Sequence, residues 1–268
     1  MAVGQRSCDE EESMSVEYAP KGIVGVLTPQ ANTTVEPEYA ILTPPGYAFL
    51  NARLLSPHKT IDERLVDYFA NVQNYAREFA NAPIGTLCVA TTGMSYLVGK
   101  EAEDKKLAEM SAALGIPVMT AATSVCMALD ALKARRIALI SPYEGSLDAA
   151  ATPYWESRGY SVVEKISAAK PGDNFHPIYS LPSGAAQEAL DKIKDPSLDA
   201  IIMLGTGMPT FGPIARTPFL GKTPVLSCMF ALIWANIVTL DKREPTGEDL
   251  HKWLNGRWWR DRMAQQFI

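Results

Sequence analysis

Leu87-Cys88-Val89-Ala90-Thr91-Thr92-Gly93-Met94-Ser95-Tyr96 opens as a short apolar run and breaks into hydroxyls and a glycine. A strand buried on both faces of a parallel sheet reads as an unbroken apolar run, and here it ends in a polar loop at its carboxyl end. In open α/β sheets that is where ligands sit. Ile201-Ile202-Met203-Leu204-Gly205-Thr206-Gly207-Met208-Pro209-Thr210 has the same order of apolar strand, glycine and threonine. The pair predicts two loops facing each other across one site. Taken singly, either loop reads equally well as an ordinary strand-to-helix turn.

Working outward, 22–29 is a strand ending in Thr28-Pro29. After it, Asn32 or Thr33 is placed to cap a short helix, with Glu36 at capping-box distance from Thr33. Asn32 either only caps or offers its amide to a ligand carboxylate. Residues 47–55 read as a strand carrying Arg53. Residues 62–79 form an amphipathic helix, with Leu65, Phe69, Val72 and Ala76 at spacings of 3 and 4. A helix over 101–114 stops at Gly115. A short strand over 116–120 leads to a helix capped by Thr123 or Ser124 and running to about residue 133.

The pattern then restarts: strand 136–143, helix 146–158 stopped by Gly159, strand 160–166, a Pro/Gly/Ser-rich loop over 167–184, and helix 185–194. The Gly205 loop, strand 223–227 and a long apolar helix over 229–240 follow. Pro29 and Pro142 lie 113 apart, Thr91 and Gly205 114 apart, Pro117 and Pro224 107 apart. Landmarks at nearly one offset predict an α/β protein of two similar Rossmann-like halves. Each half has a parallel sheet, a pseudo-two-fold relates the halves, and the site lies between them. The expected organisation is a disordered acidic leader over 1–19, a first half over 20–123 completed by the C-terminal helix, a second half over 124–240, and a Trp/Arg-rich tail over 241–268. The tryptophans and arginines of the tail suit either a subunit contact, making a homo-oligomer, or a helix docked on its own domain.

Of the 268 residues 47% are hydrophobic and 21% charged, and the net charge is −5. That balance suits a globular protein with a real core and leaves no basic footprint for nucleic acid. No apolar run reaches the roughly 18–20 residues that span a bilayer, and no secretory signal pattern opens the chain. Cys8, Cys88, Cys126 and Cys228 form no C-x-x-C pair, and His58, His176 and His251 match no zinc spacing. The expectation is a cytoplasmic protein with no metal and no cofactor.

Residues 25–36, Gly-Val-Leu-Thr-Pro-Gln-Ala-Asn-Thr-Thr-Val-Glu, resemble the Pro-x-x-Asn-Thr-x-x-Glu opening of the maleate cis–trans isomerases. Those belong to the aspartate/glutamate racemase superfamily, with arylmalonate decarboxylase as a close relative. The resemblance extends through both strand-end loops, Ser141-Pro142-Tyr143 and the two Pro-Val strands. It implies a two-halved α/β enzyme acting on a small carboxylic acid in the cleft between the halves. Racemases and isomerases of this group use one cysteine from each half, and arylmalonate decarboxylase keeps the second. Here Thr91 and Gly205 stand at those places. Thiol chemistry rests on a pKa near 8.5 that surroundings lower toward neutral, and a threonine hydroxyl has no such reach.

What remains is a cradle for a carboxylate, an enolate or an oxyanion. Thr91, Thr92, Gly93 and Ser95 offer hydroxyls and N–H groups at a helix start, and Gly205, Thr206 and Gly207 offer the like from the other half. The resemblance adds Asn32 and Tyr143 as substrate contacts. Arg53 is a candidate for a second carboxylate. Tyr143 is the first candidate for proton transfer, and Cys228, just past strand 223–227, is the second. Cys88 and Cys126 read as core, Glu36 and Glu144 as a capping and a solvated carboxylate, and His58 as part of a loop that could overhang the site. Three functions compete: a cysteine-independent lyase, decarboxylase or hydrolase of a small acid, its amide or its cyclic imide; an isomerase, racemase or decarboxylase using Cys228; and a carboxylate-binding protein without catalysis.

Overall fold

The computed structural model describes residues 16–170 and 177–266. Residues 1–15 of the leader expected over 1–19, Cys8 among them, and His176 lie outside the described residues. Within 16–19, Val16 and Ala19 form an antiparallel bridge, and Ala19 is buried.

The first sheet is built from β1 (Gly22–Pro29), β2 (Tyr47–Leu54), β3 (Ile84–Val89) and β4 (Val118–Thr120), all parallel, in the order β2-β1-β3-β4. The second contains β5 (Arg136–Ser141), β6 (Ser161–Ser167), β7 (Ala200–Met203), β8 (Phe219–Leu220) and β9 (Thr223–Ser227), in the order β6-β5-β7-β9-β8. The two orders superpose strand for strand once β8, a short antiparallel edge that sequence reading missed, is set aside. The central strands β1, β5 and β7 are buried almost throughout, whereas the edge strands β2 and β6 are half-exposed. Parallel strands flanked on both sides by helices must be apolar at every position, which is why they were legible as runs.

Helices α1 (Val35–Leu42), α2 (Ile61–Tyr75), α3 (Gly93–Leu114) and α4 (Ala121–Ala131) belong to the first half of the chain, and α5 (Gly145–Ser157), α6 (Ser183–Leu190), α7 (Phe211–Arg216) and α8 (Cys228–Leu240) to the second. Several boundaries differ from expectation. α3 begins at Gly93, not 101, and breaks at Gly99, whose φ of +77° interrupts the helical ladder. α4 is capped by Thr120, which forms a capping box with Thr123. No Thr33–Glu36 capping box forms; Asn32 Oδ1 instead accepts from the N–H groups of Thr34 (2.9 Å) and Val35 (3.2 Å). The short α7 was not anticipated.

α8 is buried from Cys228 to Val238. A helix apolar on every side can only lie inside a protein, and this one crosses to the first sheet: Thr86 Oγ1 on β3 donates to Asn236 Oδ1 at 2.8 Å. α4 makes the reciprocal crossing, accepting a hydrogen bond at the Cys126 carbonyl from the Tyr160 hydroxyl at 3.1 Å. The C-terminal region folds as α9 (Gly247–Leu254) and α10 (Arg257–Gln266) and docks on this same chain. Trp259 is fully buried, its indole donating to the Trp253 carbonyl at 2.9 Å and its ring stacking edge-on against Phe211 and Phe230. Arg262 Nη1 donates to the carbonyls of Ala40, Ile41 and Thr43, so a cation covers the electronegative end of α1. Among the described residues no helix is long and apolar enough to cross a membrane.

Candidate active site

The carboxyl ends of the two sheets meet. Just past β3, the Ala90 N–H donates to the Leu27 carbonyl (2.8 Å); just past β7, the Leu204 N–H donates to the Ile140 carbonyl (2.8 Å). The same bond in each half sets both loops at one height. Between them lies a cavity of about 20 Å³, walled by Thr91 from the first loop, Thr206 and Gly207 from the second, and Tyr143 after β5. That is room for about one water, so a larger occupant must displace side chains of the wall. The apolar wall comes from Ile61 and Leu65 on α2 and from Ile178.

Tyr143 is the best-placed polar group. Its hydroxyl shares a hydrogen bond with Thr92 Oγ1 at 3.0 Å, at the amino end of α3. Burial drives the phenol well above its ordinary range, and the bond to Thr92 offsets this only in part. Tyr143 is therefore a neutral donor at physiological pH. Gly93 lets this approach happen: a Cβ there would stand 2.9 Å from Leu65 and 3.4 Å from the Tyr143 oxygen.

Gly205 has a φ of +79°, and a Cβ on it would fall 2.5 Å from Pro142 Cγ and 2.8 Å from Ile178 Cδ1. The backbone conformation favours glycine, and neighbouring side chains already occupy the space that a thiol would need. Cys228, the other sulfur considered for this role, opens α8 with no exposed surface, and burial pushes its thiol above the ordinary range. It is not part of the cavity wall. Burial pushes Cys88 and Cys126 up to about 12; Cys88 lies in the core, as expected, whereas Cys126 is only partly buried at its edge.

Other candidates are engaged elsewhere. Ser95 is fully buried and its hydroxyl donates to Glu103 Oε1 at 2.6 Å, away from the cavity. Glu103 also accepts from Thr120, Tyr154 and Arg158, so Ser95 belongs to a buried polar cluster. Arg53 pairs with Glu36 and donates to the Asn32 carbonyl at 2.8 Å, bracing the loop after β1 from outside the wall. Asn32, almost fully buried, caps α1 through Oδ1 and donates from Nδ2 to Thr206 Oγ1 at 3.1 Å. The sequence singled out none of five wall residues, Ile61, Arg64, Tyr68, Ile178 and Tyr179. Arg64, next to the core-facing Leu65 on α2, is the one charged side chain in the wall among the described residues, and its Nε donates to the His58 carbonyl at 2.6 Å. Tyr179 stands in a short 3₁₀ turn (Pro177–Ser180) within the loop expected over 167–184. Only the composition of that loop hinted at it.

Comparison with known proteins shows the family and the fold. The model of the arylmalonate decarboxylase family matches residues 24–249. The chain belongs to this family. A maleate isomerase from Pseudomonas putida KT2440 is 26% identical over 236 residues, covering 81% of this chain and 91% of that one. Among solved structures, a maleate cis-trans isomerase of Nocardia farcinica carrying a covalently bound succinylcysteine intermediate shares the fold. Its TM-score is 0.73 at 21% identity, over 82% of this chain and 93% of that one. An arylmalonate decarboxylase gives a TM-score of 0.68 at 19% identity, over 81% and 92% of the two chains. These relatives are enzymes, named for an isomerisation and for a decarboxylation. The aspartate/glutamate racemase-like fold expected from the sequence is thus the one present. Among the described residues no cysteine lines the cavity.

Proposed function

We propose that the protein is an enzyme of a small carboxylic or dicarboxylic acid that works through an enolate or oxyanion, without a catalytic cysteine. The observation that carries this reading is the filling of the Gly205 position by Pro142 and Ile178, with Tyr143 as a neutral donor in the cavity wall beside Thr91.

In a decarboxylation the bond between the α-carbon and the departing carboxyl carbon breaks, and its electron pair moves into the remaining carboxylate to give an enediolate. The developing negative oxygen is met by the Tyr143 hydroxyl and by N–H groups at the start of α3, which have no partner within the helix. The apolar wall of Ile61, Leu65 and Ile178 lowers the local dielectric and so strengthens those interactions. The reaction closes when the α-carbon takes a proton. The Tyr143 phenol is the donor, and the phenolate recovers its proton from solvent. One such oxyanion contact is worth about 3–4 kcal/mol in comparable sites, enough to carry much of a rate enhancement without a nucleophile.

The alternative reading, proton donation by Cys228, has less support, because the thiol is fully buried and outside the wall. The test is a screen of phenylmalonate, methylmalonate and maleate by proton NMR, using the wild type, Tyr143→Phe and Cys228→Ala. Turnover that falls with Tyr143→Phe and survives Cys228→Ala and iodoacetamide supports the proposal. Turnover abolished by Cys228→Ala, or by alkylation of Cys228, replaces it with the thiol mechanism.

A further inference from the structure

A second cavity, of about 410 Å³, lies on the far side of Tyr179 from the cleft, and Tyr179 is part of both walls. It is bounded by α1, α7 and α10. Its surface is mostly apolar, from Pro37, Ile41, Pro209, Phe211 and Met263, with hydroxyls from Thr33, Thr34 and Ser183. Among the described residues no lysine, arginine or histidine lines it, and its one carboxyl group is Glu38.

Glu38 is unusual. It sits on α1 with 3% of its surface exposed. Oε1 accepts from the N–H (2.8 Å) and the hydroxyl (3.2 Å) of Thr210, while Oε2 is buried with no hydrogen-bond partner. A buried polar atom without a partner carries a cost of about 1–3 kcal/mol and calls for an explanation. Burial pushes the carboxyl up to about 8, so it holds its proton at neutral pH. The protonated group is a hydrogen-bond donor, and among the described residues nothing meets its Oε2.

We propose that this cavity is a binding site for a small neutral molecule with an apolar body and a carbonyl-type hydrogen-bond acceptor, which Glu38 engages. An anion would find no cation among the described residues of the wall. An amine would require Glu38 to ionise in an apolar surrounding, which burial opposes. A neutral acceptor satisfies the orphaned group without burying a charge. The size of the cavity suits an aromatic amide or ketone. The proposal is independent of the chemistry assigned to the cleft.

The test uses benzamide as the neutral probe, with benzylamine and benzoate as its cationic and anionic counterparts. Binding is followed by the ¹³C-methyl resonance of Met263, assigned through Met263→Leu. The expected result is a saturable shift with benzamide and at least about tenfold weaker binding of both charged probes. Glu38→Gln, which keeps an N–H donor, should bind benzamide within about threefold of wild type, and Glu38→Leu should lose about tenfold. Ala264→Trp leaves Glu38 in place and fills the cavity from α10; it should abolish the shift even if Glu38→Leu proves unfoldable. The proposal is overturned if benzamide gives no saturable shift, if either charged probe binds as well, or if binding survives Glu38→Leu or Ala264→Trp undiminished.

Discussion

The Thr206 hydroxyl donates to the Ala90 carbonyl at 2.8 Å, joining the loop of one sheet to the strand end of the other. The same oxygen accepts from Asn32 Nδ2, and Thr34 Oγ1 donates to the Gly207 carbonyl at 2.9 Å nearby. Residues taken as substrate contacts thus spend their polar atoms holding the two halves in register. The bracket adjoins the cleft, whose wall includes Thr91, Thr206 and Gly207.

Thr206→Val should break the bracket. It leaves the Ala90 carbonyl and an Asn32 N–H buried without partners, and each orphaned group costs about 1–3 kcal/mol. Urea denaturation should show a loss of about 2–3 kcal/mol, together with a fall in turnover. A stability unchanged within error would mean that the halves are held by apolar packing alone.

Gly205→Cys should not recreate a thiol enzyme. The side chain would enter the left-handed region and press on Pro142 and Ile178. Left-handed strain of about 1–2 kcal/mol and overpacking of about 1–3 kcal/mol add to a destabilisation of roughly 2–5 kcal/mol. The readout is a lowered Tm with no gain in isomerisation of maleate. A stable, more active variant would show that the wall yields easily.

Tyr143→Phe should lower turnover by about 10²–10³ while leaving the fold intact. The pH dependence has a definite sign. Tyr143 acts while protonated, and burial raises its phenol above the ordinary value. Its active form therefore persists through neutral and mildly alkaline pH and is lost only as pH rises through that raised value. A turnover profile with no falling limb assignable to Tyr143 below pH 10 is the expected outcome, read on the wild type beside Tyr143→Phe.

Glu38 should make the protein less stable as pH rises. Its carboxyl titrates near 8 when folded and near 4.5 when unfolded, with burial as the cause and the Thr210 hydrogen bonds opposing. Between those values the unfolded chain has released a proton that the native one still holds, so stability falls with increasing pH. The penalty amounts to about 3 kcal/mol by pH 7 and vanishes below the unfolded value. Denaturation between pH 5 and 8 should show this slope in the wild type and not in Glu38→Gln. Parallel slopes would place the proton elsewhere.

The amino-acid sequence by itself determined the two-sheet plan, the parallel strands and the loops that meet at the cleft. Strands buried in parallel sheets have to be apolar throughout, and each ends where Thr91 or Gly205 begins a polar turn. Helix stops were equally legible: Gly115 adopts the left-handed conformation that its place after α3 requires. Tertiary structure alone decided where the polar groups in those loops direct their hydrogen bonds. Asn32 meets Thr206 across 174 residues, Ser95 turns to Glu103, and Arg53 stays with Glu36. Arg64 and Tyr179 enter the wall from a helix and a loop with no motif of their own. Backbone periodicity is a local property and leaves its mark along the chain. The partner of a buried hydroxyl or amide is whichever complementary group packing brings within about 3 Å, and no local pattern records it.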